Sequence, residues 1–275
     1  MILVFDVGNT ETVLGLFENG TFVDHWRIST HPDRTVDEIG LLIRSLLRES
    51  GFAAESIRAA VIGSVVPSMT RILEQSAERH LGARVAIIDG NTTLPIRLDV
   101  DEPASVGADR IANTLAAMRL YKRDTIAVDF GTATTFDCIT ADGVFVGGVI
   151  APGLQTGAET LVRRTAALPS VDLTPPEFVI GRRTSTAMRS GIFFGAVEAI
   201  DGVVRRIKKE WQRENPLVVA TGGLSTVIAP HCTTIDKVEP YMTLYGLDFA
   251  FQWIEQLEAP RRAANPLTPM KKRRR

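Results

Sequence analysis

The hydrophobic positions of the chain spell one motif twice. An apolar run, Ile2 to Phe5, meets Asp6-Val7-Gly8-Asn9-Thr10, resumes as Thr12-Val13-Leu14-Gly15-Leu16-Phe17 and turns at Asn19-Gly20. A second run, Thr125 to Val128, meets Asp129-Phe130-Gly131-Thr132, resumes from Thr134 to Ile139 and turns at Asp142-Gly143. The offset is 123 residues at both ends, from Asp6 to Asp129 and from Gly20 to Gly143. Asn-Gly and Asp-Gly are strong hairpin signals, because a type I′ turn needs positive φ at both central residues. Each copy therefore reads strand, tight polar turn, strand, hairpin, strand. Further apolar runs ending on small residues, Ala59 to Val65 and Leu217 to Gly223, predict one more buried strand per copy.

Between the strands the period changes to that of a helix. Asp37 to Glu49 carries Ile39, Leu42, Ile43, Leu46 and Leu47 on one face. Gly195 to Trp211 carries Ala196, Ala199, Ile200, Val203 and Ile207. Arg110 to Leu120 is a third helical stretch leading into the second copy. Alternating strands and helices, duplicated, predict an α/β protein of two sheet-and-helix domains with a cleft between them. The expected boundaries are 1–115 and 116–256. Residues 257–275 contain three prolines and end Lys271-Lys272-Arg273-Arg274-Arg275, which predicts a solvated tail.

Bulk properties narrow the class. Apolar residues make up 45% and charged residues 23%, and the formal net charge is −1. That composition fits a packed globular protein without a field to recruit nucleic acid or membrane. Cys138 and Cys232 form no CxxC pair, and the four histidines lack ligand spacing. No signal-peptide pattern opens the chain and no apolar run suits a membrane span, so the cytoplasm is the expected location.

The two Asp-x-Gly turns are the candidate chemistry. Glycine lets backbone approach a phosphate, and successive N–H groups with threonine hydroxyls form an anion-binding concavity. A carboxylate at a strand end, Asp6 or Asp129, can hold Mg²⁺. No GxxxxGK[ST] and no GxGxxG after a strand is present, so the nucleotide sites built on those motifs are excluded. Thr221-Gly222-Gly223 suits close approach of an adenosine or α-phosphate, or packing of a turn on a helix. Between the copies lies Val106-Gly107-Ala108-Asp109-Arg110, at a predicted helix start. Asp109 is either a helix cap or a carboxylate that accepts a hydroxyl proton during phosphoryl transfer. Arg110 can pair with an anionic group. Thr184, in Arg182-Arg183-Thr184-Ser185-Thr186, is a helix cap or a substrate contact.

With those residues in place, the chain to about Gln256 resembles type III pantothenate kinases of the acetate and sugar kinase/Hsp70/actin superfamily. The likeness rests on the two Asp-x-Gly turns, Val106 to Arg110, Gly147-Gly148-x-x-x-Pro152-Gly153 and Thr221-Gly222-Gly223. It implies two ribonuclease H-like domains and ATP-dependent phosphorylation of pantothenate to 4′-phosphopantothenate. It also implies ATP contacts from Asp6, Val7, Gly8, Asn9, Thr10, Glu11, Thr12, Val13 and Thr132, joined by Gly222 and Gly223. Pantothenate falls to Gly107, Ala108, Asp109, Arg110 and Thr184, with Asp109 as proton acceptor. Asp129 corresponds to a ligand of a monovalent cation, potassium or ammonium, and relatives are homodimers. One departure stands out: Val100 occupies the place where the family often has a tyrosine lining the pantothenate pocket. A regulatory protein that keeps the fold, or a kinase acting on another hydroxyl compound, are the competing expectations.

Overall fold

The computed structural model describes residues 1–213 and 215–264, with side chains to 259. The first sheet holds β1 (Ile2–Val7), β2 (Glu11–Glu18), β3 (Thr21–Ser29), β4 (Ala59–Ser64) and β5 (Arg84–Ile88) in the order β3-β2-β1-β4-β5. The second holds β6 (Arg97–Leu98), β7 (Thr125–Phe130), β8 (Ala133–Ile139), β9 (Val144–Pro152), β10 (Leu217–Thr221) and β11 (Lys237–Val238), ordered β11-β10-β7-β8-β9-β6. Removing the short edge strand β6 leaves the same order in both sheets. In each, the central strand pairs antiparallel with the next strand in sequence and parallel with the one that follows the helical segment. The internal duplication is thus visible as topology.

The helices are α1 (Val36–Glu49), α2 (Pro67–Ser76), α3 (Ala108–Leu120), α4 (Leu154–Arg164), α5 (Thr184–Trp211), the single turn α6 (Ser225–Ile228) and α7 (Met242–Ala264). A capping box starts α1, where Thr35 Oγ1 accepts from Glu38 N and Glu38 Oε2 accepts from Thr35 N. Alternation along the central strands builds three cores. Leu3, Phe5 and Val7 face α1 and α2, and Ile126, Val128 and Phe130 face α5. The opposite faces, with Ile2, Val4 and Ala127, share one core with α3 and α7. These two helices lie between the sheets and touch closely. A Cβ on Gly246 of α7 would overlap the Ala112 carbonyl of α3. Asp6 and Asp129, on the same faces as Val4 and Ala127, therefore both point toward this middle layer.

Four details differ from the sequence pattern. The stretch before Trp211 is one 28-residue helix, α5, and its buried line is Phe193, Val197, Ile200, Val204 and Ile207, with Ala199 exposed. Alanines on two sides of the helix made the periodicity ambiguous, and the larger side chains decide the face. Helix α7 continues to Ala264, through the first residues of the predicted tail; Glu255 and Glu258 tie it to Arg84 of β5. The rest of that tail, 265–275, lies outside the described residues. At Asn19-Gly20 both φ angles are positive, as a I′ turn requires, but at Asp142-Gly143 only Gly143 is left-handed. The second hairpin instead has a four-residue connection, Thr140 to Gly143, closed by Thr140 N donating to Val144 O.

That longer connection compensates for a shorter one. In the first copy Val7 pairs with Thr12, leaving four residues in the turn; in the second Phe130 pairs with Thr134, leaving three. β8 is thus slid by one residue against the pairing that the constant offset implies. A one-residue slip exchanges the two faces of a strand. Asp137 consequently pairs with Ala127 just as Gly15 pairs with Val4, the residue corresponding to Ala127.

Candidate active site

The two polar turns meet. Thr10 Oγ1 and Thr132 Oγ1 are hydrogen-bonded at 3.0 Å, so the loops after β1 and β7 touch across the cleft. Each loop is fastened from behind. Thr30, just past β3, donates through Oγ1 to the Gly8 carbonyl at 2.8 Å, shares a hydrogen bond with Thr12 Oγ1 and donates its N–H to Thr10 O. Thr132 O accepts from Gly153 N and from Thr156 Oγ1 at the start of α4. Asn9, Thr10 and Glu11 are exposed while Thr12 is buried, so the first turn presents its tip to solvent and anchors its base. The third glycine turn closes in on Asp129. Gly222 has φ +86°, and a Cβ there would overlap Asp129 Oδ1, so both backbone and space require glycine.

Asp6, Asp109 and Asp129 share one electrostatic site. Burial raises Asp6 well above the usual carboxylate range, and the charges of Asp129 and Asp109 push it further. Asp129 is pushed up to about 7 by burial, then by Asp109, against a hydrogen bond from Asn113. Both residues keep partial solvent contact at the cleft floor, which moderates the upward push. Such a set of oxygen donors suits hard cations. Among the described residues no three of His, Cys, Asp and Glu are grouped to chelate one ion. A cation here would be shared between carboxylate, phosphate and water, which is how magnesium is commonly bound.

Asp109 is not the cap of α3. Gly107 holds the N-cap position without a side-chain bond, and Asp109 lies one residue inside the first turn. Its Oδ1 accepts from Arg110 N at 2.9 Å and folds over Gly107, where a Cβ would collide with it. Arg110 turns the other way. Its Nε donates to Asp137 Oδ1 at 2.7 Å, and its guanidinium lies 4.8 Å from the Phe145 ring and against Gly148. Asp137 is fully buried and is raised to about 6 by burial, with Arg110 opposing the rise. Arg110 is therefore held by a carboxylate of the protein, with its Nη2 beside Gly148 of β9. Asn113, also fully buried, donates through Nδ2 to Asp129 Oδ2 at 3.4 Å and accepts from Thr243 Oγ1 of α7 at 3.0 Å.

Sequence reasoning missed Asp137, Asn113, Thr30 and Arg27. Two carried a readable signal: Asp137 is a charge inside the apolar alternation of β8, and Asn113 a polar residue on the buried side of α3. Of the residues named from sequence, the structure gathers Asp6 to Val13, Asp109, Arg110, Asp129, Thr132, Gly222 and Gly223 around the cleft. Val100 is half-buried against the central core. Thr184 lies apart from that group. It is the first residue of α5 and lines a cavity of about 640 Å³ with Leu161, Gly181, Arg183, Met188 and Ile192. Carboxylates and apposed glycine turns, which phosphoryl transfer needs, are in the cleft and not in that cavity.

Known proteins place the chain. A family profile for type III pantothenate kinases matches residues 2–206. A curated type III pantothenate kinase from Geobacter sulfurreducens is 43% identical over 252 residues, 92% of this chain and 98% of the relative. A ROK-family glucokinase from Streptomyces griseus, solved with glucose and AMPPNP, superposes with a TM-score of 0.50 at 13% identity, covering 91% of this chain and 99% of the other. A Campylobacter jejuni protein described as a Baf-family transcriptional activator gives 0.57 at 16% identity, covering 92% and 99%. At such identities these structures show the fold alone, a two-domain actin-like architecture, and the regulatory reading gains nothing from the second. No helix among the described residues is long and apolar enough to cross a membrane. Profile and curated relative agree: the chain belongs to the type III pantothenate kinase family and phosphorylates pantothenate with ATP, the step that leads to coenzyme A.

Proposed function

We propose that this reaction takes place in the cleft where the two glycine turns meet, with Asp109 as the group that accepts the hydroxyl proton of pantothenate. The observation that carries the reading is that the charge of Asp109 bears on both Asp6 and Asp129, beside the Thr10–Thr132 contact. Asp6 to Val13 and Thr132 present backbone N–H groups and hydroxyls to the phosphates of ATP, and Gly222-Gly223 leaves room on the adenosine side. Asp6 would hold magnesium, which would neutralise charge on the transferring phosphoryl group. Asp109 takes the proton as the pantothenate oxygen bonds to the γ-phosphorus and the bond to the β,γ-bridging oxygen breaks. Gly107 and Ala108 contact pantothenate, Arg110 faces its carboxylate, Val100 lines the same pocket, and Asp129 would hold potassium or ammonium.

The same reading takes one domain around each sheet and a homodimer as the working form; the expected boundary between 115 and 116 falls inside α3, and β6 of the first stretch pairs into the second sheet. Support for the dimer is the apolar segment Phe178, Val179 and Ile180, whose residues are 68, 67 and 83% exposed, next to Thr184. A second subunit covering that segment would bring Thr184 into a substrate pocket. The free thiols of Cys138 and Cys232 suit the cytoplasm. The test is ATP turnover with pantothenate and a panel of small hydroxy acids, with potassium present or absent. Pantothenate-dependent turnover that survives Asp109→Asn would remove Asp109 from the chemistry and leave only its structural place in α3.

A further inference from the structure

Arg27 belongs to none of the motifs, yet it reaches across the cleft. It projects from β3, paired with Val13, and its Nη1 donates to Glu11 Oε2 at 3.2 Å, the diagonal neighbour on β2. The two side chains are 36% and 54% exposed. An ion pair so exposed contributes little to stability, so stability does not account for the placement of the guanidinium.

The opposite sheet does account for it. Arg27 Nη1 lies against Gly223, where a Cβ would sit only 2.6 Å away. Gly222 needs glycine for its positive φ, but Gly223 has no such backbone demand. Its missing side chain is instead the space that the guanidinium occupies. Arg27 is also the cation whose charge opposes the upward push on Asp6. One guanidinium thus stands between the first turn, the Asp6 carboxylate and the third glycine turn.

We infer that Arg27 binds the phosphate chain of ATP between the first turn and Gly223, exchanging its Glu11 partner for phosphate oxygens when nucleotide enters. This rests on the reading of the cleft as the ATP site. A planar fork matches phosphate geometry, and Glu11 keeps the fork aimed into the cleft. Because Arg27 comes from the first sheet and Gly223 from the second, phosphate bound there also ties the two halves together.

The test is calorimetric titration of the full-length protein with magnesium–ATP, magnesium–ADP and adenosine. Arg27→Met is expected to weaken ATP and ADP about ten- to a hundredfold, the loss of a charge-assisted contact, with adenosine unchanged. Arg27→Lys should recover part of the loss, since charge remains and the fork does not. Circular dichroism and an unchanged KM for pantothenate report that the fold is intact. If Arg27→Met does not fold, Arg27→Lys is read by the same comparison of ATP with adenosine. Unchanged ATP affinity, or an equal loss for adenosine, overturns the inference. Asp6→Asn runs alongside. If it loses ATP while Arg27→Met does not, only the role of Arg27 falls; if neither loses ATP, the cleft reading falls with it.

Discussion

The two copies share strand order and diverge at one strand. In the first, Val4 pairs with Gly15, and the absent side chain lets Leu244 of α7 pack onto the sheet. In the second, the corresponding Ala127 pairs with Asp137, whose carboxylate holds Arg110 of α3. The difference originates in a turn that is one residue shorter, which slides β8 and brings an aspartate to the face that glycine occupies in the first copy. Both faces look into the same middle layer, but one receives a helix and the other a charged pair. Duplication thus supplies a scaffold twice, and a one-residue asymmetry separates a packing surface from a polar one.

The comparison can be broken at several points. Asp109→Asn removes the proposed proton acceptor from the helix between the copies. Turnover is expected to fall about 10²- to 10⁴-fold, the usual contribution of a general base. Equilibrium ATP binding and circular dichroism should stay near wild type. Exchanging the marks of the two copies comes next. Asp137→Ala leaves Arg110 without its buried partner and should cost about 3–5 kcal/mol in denaturant unfolding, with a raised KM for pantothenate. Gly15→Asp should be comparably harmful, because the new side chain meets Leu244 and is buried without a cation; a stable Gly15→Asp protein would show that the copies are interchangeable.

Protonation offers a gentler test. Asp129 moves from the ordinary 3.8 to about 7 and Asp137 to about 6, burial being the largest cause for both. Between those limits the folded, ligand-free protein holds protons that the unfolded chain has released. Stability therefore falls as pH rises through this window and levels off above it. Asp129→Asn should raise the melting temperature at pH 8 and change it little at pH 5, and the proposed potassium site predicts that any activation by potassium is lost with it. The smallest effect is expected at the contact between the turns. Thr10→Val and Thr132→Val should each cost about 1 kcal/mol or less, with a double-mutant cycle revealing their coupling.

Much of this was legible in the residues. The offset between the Asp-x-Gly turns disclosed the duplication, and the alternation of β1 and β7 sets which side each aspartate faces. The hairpin at Asn19-Gly20 formed as its residues require. The second hairpin could not be read in the same way, because a deletion in one loop and an insertion in the next leave the offset intact. Only the pairing of Phe130 with Thr134 exposes the slip. Asp109 remained open between cap and functional group for a related reason: two residues of displacement at a helix start separate the two positions, and Gly107 holds the cap.

By itself, the amino-acid sequence determined the duplicated strand, turn, strand, hairpin and strand motif, three of the helical stretches and the glycines that allow close approach. These follow from periodicity and from residue chemistry acting over a few positions. The tertiary structure decided which distant residues share a charge environment: Arg110 with Asp137, Asn113 with Asp129, Arg27 with Gly223. Those pairings depend on the register of β8 and on the two helices packed between the sheets. Register and helix placement minimise the free energy of the whole core, so no local stretch of sequence specifies them.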